Sequence, residues 1–188
     1  PEDDTVWLQV RAGILFADEV AVDDQVFERA GSAAPSFGIG VSWRISQFDI
    51  GGVIEHYSGG RYERVGGHGP IGGHVAVAGV VRWRFLEERW GGFFTRLSLG
   101  LGAFGHSDEL RFDVANPRGM GLGDVEDASA GIAFTGGVGF IYWITERLGV
   151  QAEVGLATAW APLRGRFVRM DYTRLRGVVA ASIEWRPF

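Results

Sequence analysis

The feature that most constrains this chain is a period-two alternation of side-chain character that recurs along its whole length. The clearest example is Ile71–Phe85, where Val77, Val81 and Trp83 share one set of alternate positions. The residues between them are small, polar or charged, such as His74 and Arg82. A period of two indicates a β-strand with two unlike faces. The alternation therefore predicts an all-β chain of amphipathic strands.

Eight segments carry this alternation, and several are longer than strands of soluble proteins usually are. They are, approximately, Thr5–Phe16, Ser36–Ser46, Phe48–Tyr57, Ile71–Phe85, Gly92–His106, Ala130–Ile144, Leu148–Trp160 and Thr173–Trp185. Tight turns are predicted near Ser46-Gln47, Leu86–Trp90 and Thr145–Arg147, and long loops at about 17–35, 58–70, 107–129 and 161–172. Alternating short and long connections are typical of an up-and-down meander. We therefore expect one domain over residues 1–188, an eight-stranded antiparallel up-and-down transmembrane β-barrel.

The direction in which the apolar face points separates a membrane barrel from a soluble, lipocalin-like barrel with an apolar cavity. Small residues accompany the polar face, which suits the crowded concave side. Aromatic residues collect at one end of the apolar face, as in membrane-spanning barrels. The chain has no stretch of 18 or more apolar residues that would predict a transmembrane helix. We therefore expect the apolar face to contact lipid.

The predicted interior carries charged side chains, which should pair across strands because unpaired buried charge is costly. The residues expected there are Arg11, Arg44, Asp49, Glu55, Arg82, Arg84, Arg96, Glu153, Arg174, Arg176 and Glu184. Eight strands enclose a space that side chains nearly fill. The sequence thus predicts a closed, hydrogen-bonded interior. Trp7 and Trp143 also fall on the inner face, where they either close the barrel base or indicate a shift in strand register.

An aromatic girdle is predicted on the outside, at the tight-turn end. Its expected members are Trp43, Trp83, Phe85, Trp90, Phe93, Tyr142 and Trp185. Indole and phenol rings favour the boundary between membrane and water.

The whole pattern resembles the small eight-stranded outer-membrane proteins of Gram-negative bacteria, the OmpA transmembrane-domain and OmpX-like group. The most specific local element is the end of the chain, Ser182–Phe188. The resemblance implies that Trp185 and the terminal Phe188 form a signal for the barrel-assembly machinery. Trp185 lies one place off the usual alternation with Phe188. Pro187 accounts for this offset, because it lacks the backbone N–H needed for strand pairing and therefore ends the strand. The resemblance also implies termini and tight turns in the periplasm, with long loops outside.

Arginines in the long loops are candidate contacts for lipopolysaccharide phosphates, because guanidinium binds phosphate in a bidentate manner. They are Arg61, Arg64, Arg111, Arg118, Arg164, Arg166 and Arg169. The acidic segment 107–129 could alternatively bind calcium, although it lacks EF-hand spacing. We predict no metal site and no cofactor. The net charge of −5 argues against nucleic acid as a partner.

The function predicted from the sequence is non-catalytic. We expect a monomeric envelope scaffold, or a surface protein that binds a partner through its long loops; an envelope protein is one such partner. A lipid A-modifying enzyme with His74 or His106 as base is one alternative, and a narrow channel is another. His68 is expected in a flexible loop. Because the sequence begins at Pro1, we expect a mature or trimmed form.

Overall fold

The computed structural model describes residues 5–22, 25–29, 34–64, 67–71, 73–105, 128–164 and 169–185. This part of the chain consists of strands, tight turns and short connections. The strands are β1 (Thr5–Val22), β2 (Gln25–Arg29), β3 (Ala34–Ile45), β4 (Phe48–Tyr57), β5 (Gly60–Arg64), β6 (Gly67–Ile71), β7 (His74–Glu88), β8 (Gly91–Gly105), β9 (Ala128–Thr145), β10 (Leu148–Arg164) and β11 (Arg169–Trp185). None of the described residues belongs to a helix that could cross a bilayer.

Eight of these strands form a closed antiparallel barrel. The order is β1, β3, β4, β7, β8, β9, β10 and β11, and β11 pairs with β1 to complete the circle. The eight-stranded up-and-down prediction is therefore confirmed. Closure gives every barrel strand two neighbours, so no strand edge is left unpaired within the barrel wall.

The tight turns lie at one end of the barrel. They fall at Ser46-Gln47, Arg89-Trp90 and Glu146-Arg147, as the sequence predicts. Leu8 pairs with Trp185, so the beginning of β1 and the end of β11 lie at the same end. We call this the turn end and the opposite end the loop end.

Three of the predicted long loops contain strands, which corrects the prediction for 17–35, 58–70 and 161–172. At the loop end β1 continues to Val22 and pairs with β2; β2 pairs with β5, and β5 pairs with β6. The hairpin of β10 and β11 continues to the pair Arg164–Arg169. Beyond the lipid a strand needs no apolar face, so the period-two contrast weakens and the segment reads as a loop. The prediction of a loop at 107–129 falls largely on residues 106–127, outside the described residues.

Side-chain exposure follows the predicted alternation around the barrel. Val10, Val77 and Leu101 point outward and are 62%, 61% and 73% exposed, respectively. Arg11, Ala76 and Gly102 occupy the intervening inward positions and are buried. An apolar exterior around a polar interior is the arrangement of a transmembrane barrel, since lipid takes the place of a core on the outside.

Candidate functional site

The barrel interior is the part of the described structure with the highest density of buried charge. Four arginines and four acids are buried there: Arg11, Arg82, Arg84, Arg96, Asp49, Glu55, Glu153 and Glu184. Their formal charges cancel. Because buried ions are tolerated only when paired and hydrogen-bonded, the neutral sum indicates a self-contained set.

Four of these side chains form a ring near the turn end, which we call the turn-side ring. The Oδ2 atom of Asp49 accepts hydrogen bonds from Arg82 Nε at 2.7 Å and Arg84 Nε at 2.6 Å. Arg84 Nη2 donates to Glu184 Oε2 at 3.0 Å, and Arg82 Nη1 forms an ion pair with Glu184. Charges therefore alternate around the ring. It ties β4 and β7 to β11.

The other four form a second ring nearer the loop end, the loop-side ring. Glu55 Oε1 accepts from Arg11 Nη1 at 2.9 Å and from Arg96 Nη2 at 2.8 Å. Arg11 Nη2 donates to Glu153 Oε1 at 3.0 Å. Arg96 Nη1 lies 3.7 Å from the same oxygen, which closes the ring. It joins β1, β4, β8 and β10.

Uncharged polar side chains extend both rings. In the loop-side ring, the hydroxyl of Tyr57 donates to Glu55 Oε2 at 3.0 Å. In the turn-side ring, Arg82 Nη1 donates to Gln151 Oε1 at 2.9 Å, and Gln151 contacts Ser182. Gln151 and Ser182 lie at inward positions that the alternation identifies. Tyr57 also lies at an inward position, two residues after Glu55, but the sequence prediction of the interior network named only charged residues.

Aromatic and apolar side chains close both ends of this interior. At the turn end the rings of Trp7 and Trp143 lie 5.0 Å apart, with the Arg84 guanidinium 5.6 and 5.1 Å from their centroids. At the loop end His74 stacks between Tyr57 and Phe104, with ring centroids 4.6 and 4.8 Å apart. An apolar cluster adjoins this stack, namely Leu15, Ala34, Tyr57, Ala157, Val178 and Ala180. The charged rings are thus enclosed between two layers.

Two small cavities lie within the described interior. One is lined by Gln9, Ser42, Asp49, Arg82 and Arg96, among others, and has a volume of about 10 Å³. The other adjoins Glu55 and His74 and is also about 10 Å³. Each has room for about one water molecule. Neither offers the space of a substrate site.

Of the eleven residues predicted in the interior, eight form the two rings. Arg44 lies on the same face at the turn end, where it pairs with Glu87 at the rim instead of joining a ring. Arg174 and Arg176 lie in β11, and their side chains are outside the described residues. Trp7 is buried and Trp143 half-buried at the base.

The predicted girdle residues all lie at the turn end, and six are exposed on the outer face: Trp43, Trp83, Trp90, Phe93, Tyr142 and Trp185. Phe85 is half-buried because its ring packs between Trp83 and Phe93, with centroids 5.1 and 6.2 Å away. The outer face adds Phe48 and Phe140, which the sequence prediction of the girdle omits. Both occupy outward positions in the alternation.

The structure places only part of the predicted lipopolysaccharide contacts. Arg61 and Arg64 lie in β5, Arg164 ends β10 and Arg169 begins β11. Arg111, Arg118 and Arg166 fall outside the described residues, as does Phe188 of the predicted assembly signal. Trp185 is the last residue of β11.

The histidines form no catalytic constellation within the described residues. His74 is buried in the aromatic stack, whereas His56 is exposed on the outer face. His68 lies in β6, which corrects its prediction as a loop residue. His106 lies outside the described residues. Among the described residues no group of three or more metal-binding side chains comes together.

Sequence comparison finds no relatives: no protein-family model matches, and no curated protein shows significant similarity. Structural comparison does find similar proteins. Neisserial surface protein A is 14% identical with a TM-score of 0.51, covering 98% of this chain and 99% of that one. The outer-membrane protein AlkL, solved in lipid bilayers, is 9% identical with a TM-score of 0.51, covering 99% and 92%. Similarity at this level of identity shows the fold alone. The chain has the fold of the small eight-stranded outer-membrane β-barrel proteins.

Proposed function

We propose that this protein is an integral, non-catalytic protein of the bacterial outer membrane whose barrel acts as a rigid scaffold for its loop-end strands. The observation that carries the proposal is the interior: two closed rings of alternating charge between an aromatic base and an apolar upper layer. The two cavities described in this interior are each about 10 Å³, with room for about one water molecule, which favours a structural role for the lumen. We therefore assign the function to the outer surface and to the segments at the loop end.

The loop-end strands are the surface that we propose for recognition. β2, β5 and β6 extend the wall beyond β1, and the β10–β11 hairpin extends it beside them. Arg164 and Arg169 occupy opposite register positions in that hairpin. Two guanidinium groups on paired positions suit a phosphorylated ligand, and lipopolysaccharide phosphates are the ligand that we propose. The orientation follows: loop end outside, turns and termini in the periplasm.

The membrane placement is tested by folding the purified chain with and without detergent or lipid vesicles. We expect a compact, heat-sensitive β form, seen by gel mobility and circular dichroism, only when an amphiphile is present. A stable β fold in plain buffer would refute the membrane placement, because a barrel that exposes 34 large apolar side chains among its described residues should need lipid or detergent around it. The barrel-assembly machinery is the proposed partner during biogenesis, and a Phe188 deletion should slow insertion in cells.

The scaffold role is tested against the two alternatives. We expect planar-bilayer recordings to show no conductance steps, because the two charged rings and the aromatic and apolar layers at their ends lie across the lumen. Mass spectrometry of lipid A from cells expressing the wild-type protein or His74→Ala should show identical species. Steady conductance would favour a channel, and a lipid A species that depends on His74 would favour an enzyme.

The recognition surface is tested by lipopolysaccharide binding to the folded protein in micelles. The Arg164→Gln/Arg169→Gln double variant should bind with lower affinity, by about 1–3 kcal/mol if both guanidinium groups contact phosphate. Dephosphorylated lipid A should bind the wild-type and the variant equally. Unchanged affinity in the variant would exclude this hairpin as the phosphate site.

A further inference from the structure

One sector of the outer surface carries five aromatic rings in continuous contact. Trp83 contacts Phe85 at 5.1 Å between centroids, Phe85 contacts Phe93 at 6.2 Å, and Phe93 contacts Phe140 at 5.1 Å. Trp90 contacts Phe140 at 5.8 Å. We call this set, Trp83, Phe85, Phe93, Phe140 and Trp90, the aromatic ledge.

The ledge lies at the turn end, on β7, β8, β9 and the turn between the first two. Phe85, Phe93 and Phe140 are register partners on three adjacent strands, so they form one row across the wall. Trp83, Trp90 and Phe93 are 42%, 53% and 48% exposed. A contiguous aromatic surface at the membrane boundary can pack the glycerol region and first methylene groups of a lipid.

Two exposed arginines lie in the turns of this sector. Arg89 immediately precedes Trp90 in the β7–β8 turn, and Arg147 lies in the β9–β10 turn. The two hairpins are neighbours, since β8 pairs with β9 and the Trp143 N–H donates to the carbonyl of Trp90. Within the described part of the chain neither guanidinium has an ion-pair partner.

Of the three acids around these arginines, one is in an ion pair. Glu87 binds Arg44, and Glu88 accepts a hydrogen bond from Trp90 Nε1. Glu146 is exposed beside Arg147 and, within the described residues, also lacks an ion pair. The indole hydrogen bond leaves Glu88 charged, so this rim carries no net positive charge; what it offers to an anion is two guanidinium groups that have no ion-pair partner among the described residues.

We propose that the aromatic ledge, with Arg89 and Arg147, binds an anionic phospholipid in the leaflet at the turn end. The two guanidinium groups bind the phosphate and the ledge supports the glycerol and upper acyl chains. Arginine suits this role because its planar donor fork matches phosphate oxygens. The inference rests on the membrane placement proposed above. It adds a specific lipid class and a specific sector of the barrel wall.

The test is native mass spectrometry of the folded barrel from micelles that contain equal amounts of phosphatidylglycerol and phosphatidylcholine with identical acyl chains. We expect retention to favour phosphatidylglycerol by about fivefold or more, from the attraction of basic groups for anionic lipid. The Arg89→Gln/Arg147→Gln variant should retain both lipids equally. Glu146→Gln is the matched control, an exposed neutral substitution in the same turn, and should keep or increase the preference.

A second variant separates the ledge from the charges. Trp90→Ala should lower retention of both lipids and leave their ratio close to that of the wild type. Equal retention of the two lipids by the wild type, or an unchanged ratio in the double arginine variant, would overturn the proposal. So would a stronger preference for lipid A in the same competition, or displacement of lipid by a second barrel in dimeric ions. Heat-sensitive gel mobility of each variant shows separately whether the barrel has folded.

Discussion

At the scale of single residues, Gly139 shows how tightly the barrel interior is filled. A Cβ at this position would lie 2.4 Å from the carbonyl oxygen of Ala152 and 2.4 Å from Cζ of Phe94. Phe94 is itself buried, with the Arg82 guanidinium 5.3 Å from its ring centroid. The Phe94 ring therefore cannot move away from a Cβ at position 139 without displacing Arg82 of the turn-side ring.

We expect Gly139→Ala to destabilise the folded barrel by about 1–3 kcal/mol, the usual range for overpacking. The measurement is the free energy of unfolding in urea with the protein in lipid vesicles. Gly79→Ala is the matched control, because its nearest non-neighbouring atom would be Leu99 O at 3.9 Å. Equal losses in the two variants would mean that the Phe94 contact is not the cause.

Glu55 is the residue with the most partners in the loop-side ring. It accepts from Arg11, Arg96 and Tyr57. Glu55→Gln keeps the shape of the side chain but removes the negative charge that compensates two buried guanidinium groups. We therefore expect the free energy of unfolding to fall by about 3–5 kcal/mol. Glu146→Gln, at an exposed position without an ion pair in the described structure, should change stability by less than about 0.5 kcal/mol. Urea unfolding in vesicles checks both, and a loss below about 1 kcal/mol for Glu55→Gln would argue against the ring as described.

At the scale of elements, the end of β7 departs from regular strand geometry. The pairing of β7 with β8 shifts register between Phe85 and Glu88, and Leu86 has a φ of 50°. Leu86 is 76% exposed, so no packing requires its side chain there. Positive φ favours glycine, and leucine there carries a strain of about 1 kcal/mol.

We therefore expect Leu86→Gly to stabilise the barrel by up to about 1 kcal/mol, and Leu86→Val to destabilise it because a β-branched residue tolerates positive φ least. The same urea titration ranks the three proteins. If Leu86→Gly is less stable than the wild type, the strain at this bulge is smaller than the entropy that glycine adds to the unfolded chain.

The elements themselves could be predicted from the sequence wherever lipid imposes an apolar face. β4 has the predicted bounds, and the other barrel strands are extended at one or both ends or shifted. Within Glu19–Val22 and Arg61–Arg64, in contrast, charged and apolar residues follow no rule that a bilayer dictates. Pairing of β1 with β2 and of β5 with β6 depends on long-range register, which alternation does not encode.

The same limit applies to the interior. The alternation identified the inward arginines and acids, because parity alone assigns a side chain to a face. It could not identify the partners, since Arg11 meets Glu153 across 142 positions of sequence. Nor could it show that Arg44 belongs to the rim. Those pairings depend on the depth of each residue in the closed barrel, which follows from strand register and shear.

At the scale of the whole molecule, the two rings are held by separate ion pairs and clamp two sets of strands that share only β4. The turn-side ring joins β4, β7 and β11, whereas the loop-side ring joins β1, β4, β8 and β10. No ion pair among the described residues links one ring to the other. β4 is the one strand that contributes an acid to both, through Asp49 and Glu55.

This separation predicts a pattern of additivity. Glu55→Gln and Glu184→Gln remove one acid from each ring, so their effects on the free energy of unfolding should add to within about 0.5 kcal/mol. Glu55→Gln and Glu153→Gln remove both acids from the loop-side ring and should show a coupling of about 0.5–3 kcal/mol, because they share Arg11 and Arg96. Double-mutant cycles in vesicles measure both quantities. Strong coupling between Glu55 and Glu184 would show that the interior behaves as one network. A substitution in either ring would then change the contribution of the other ring to the free energy of unfolding.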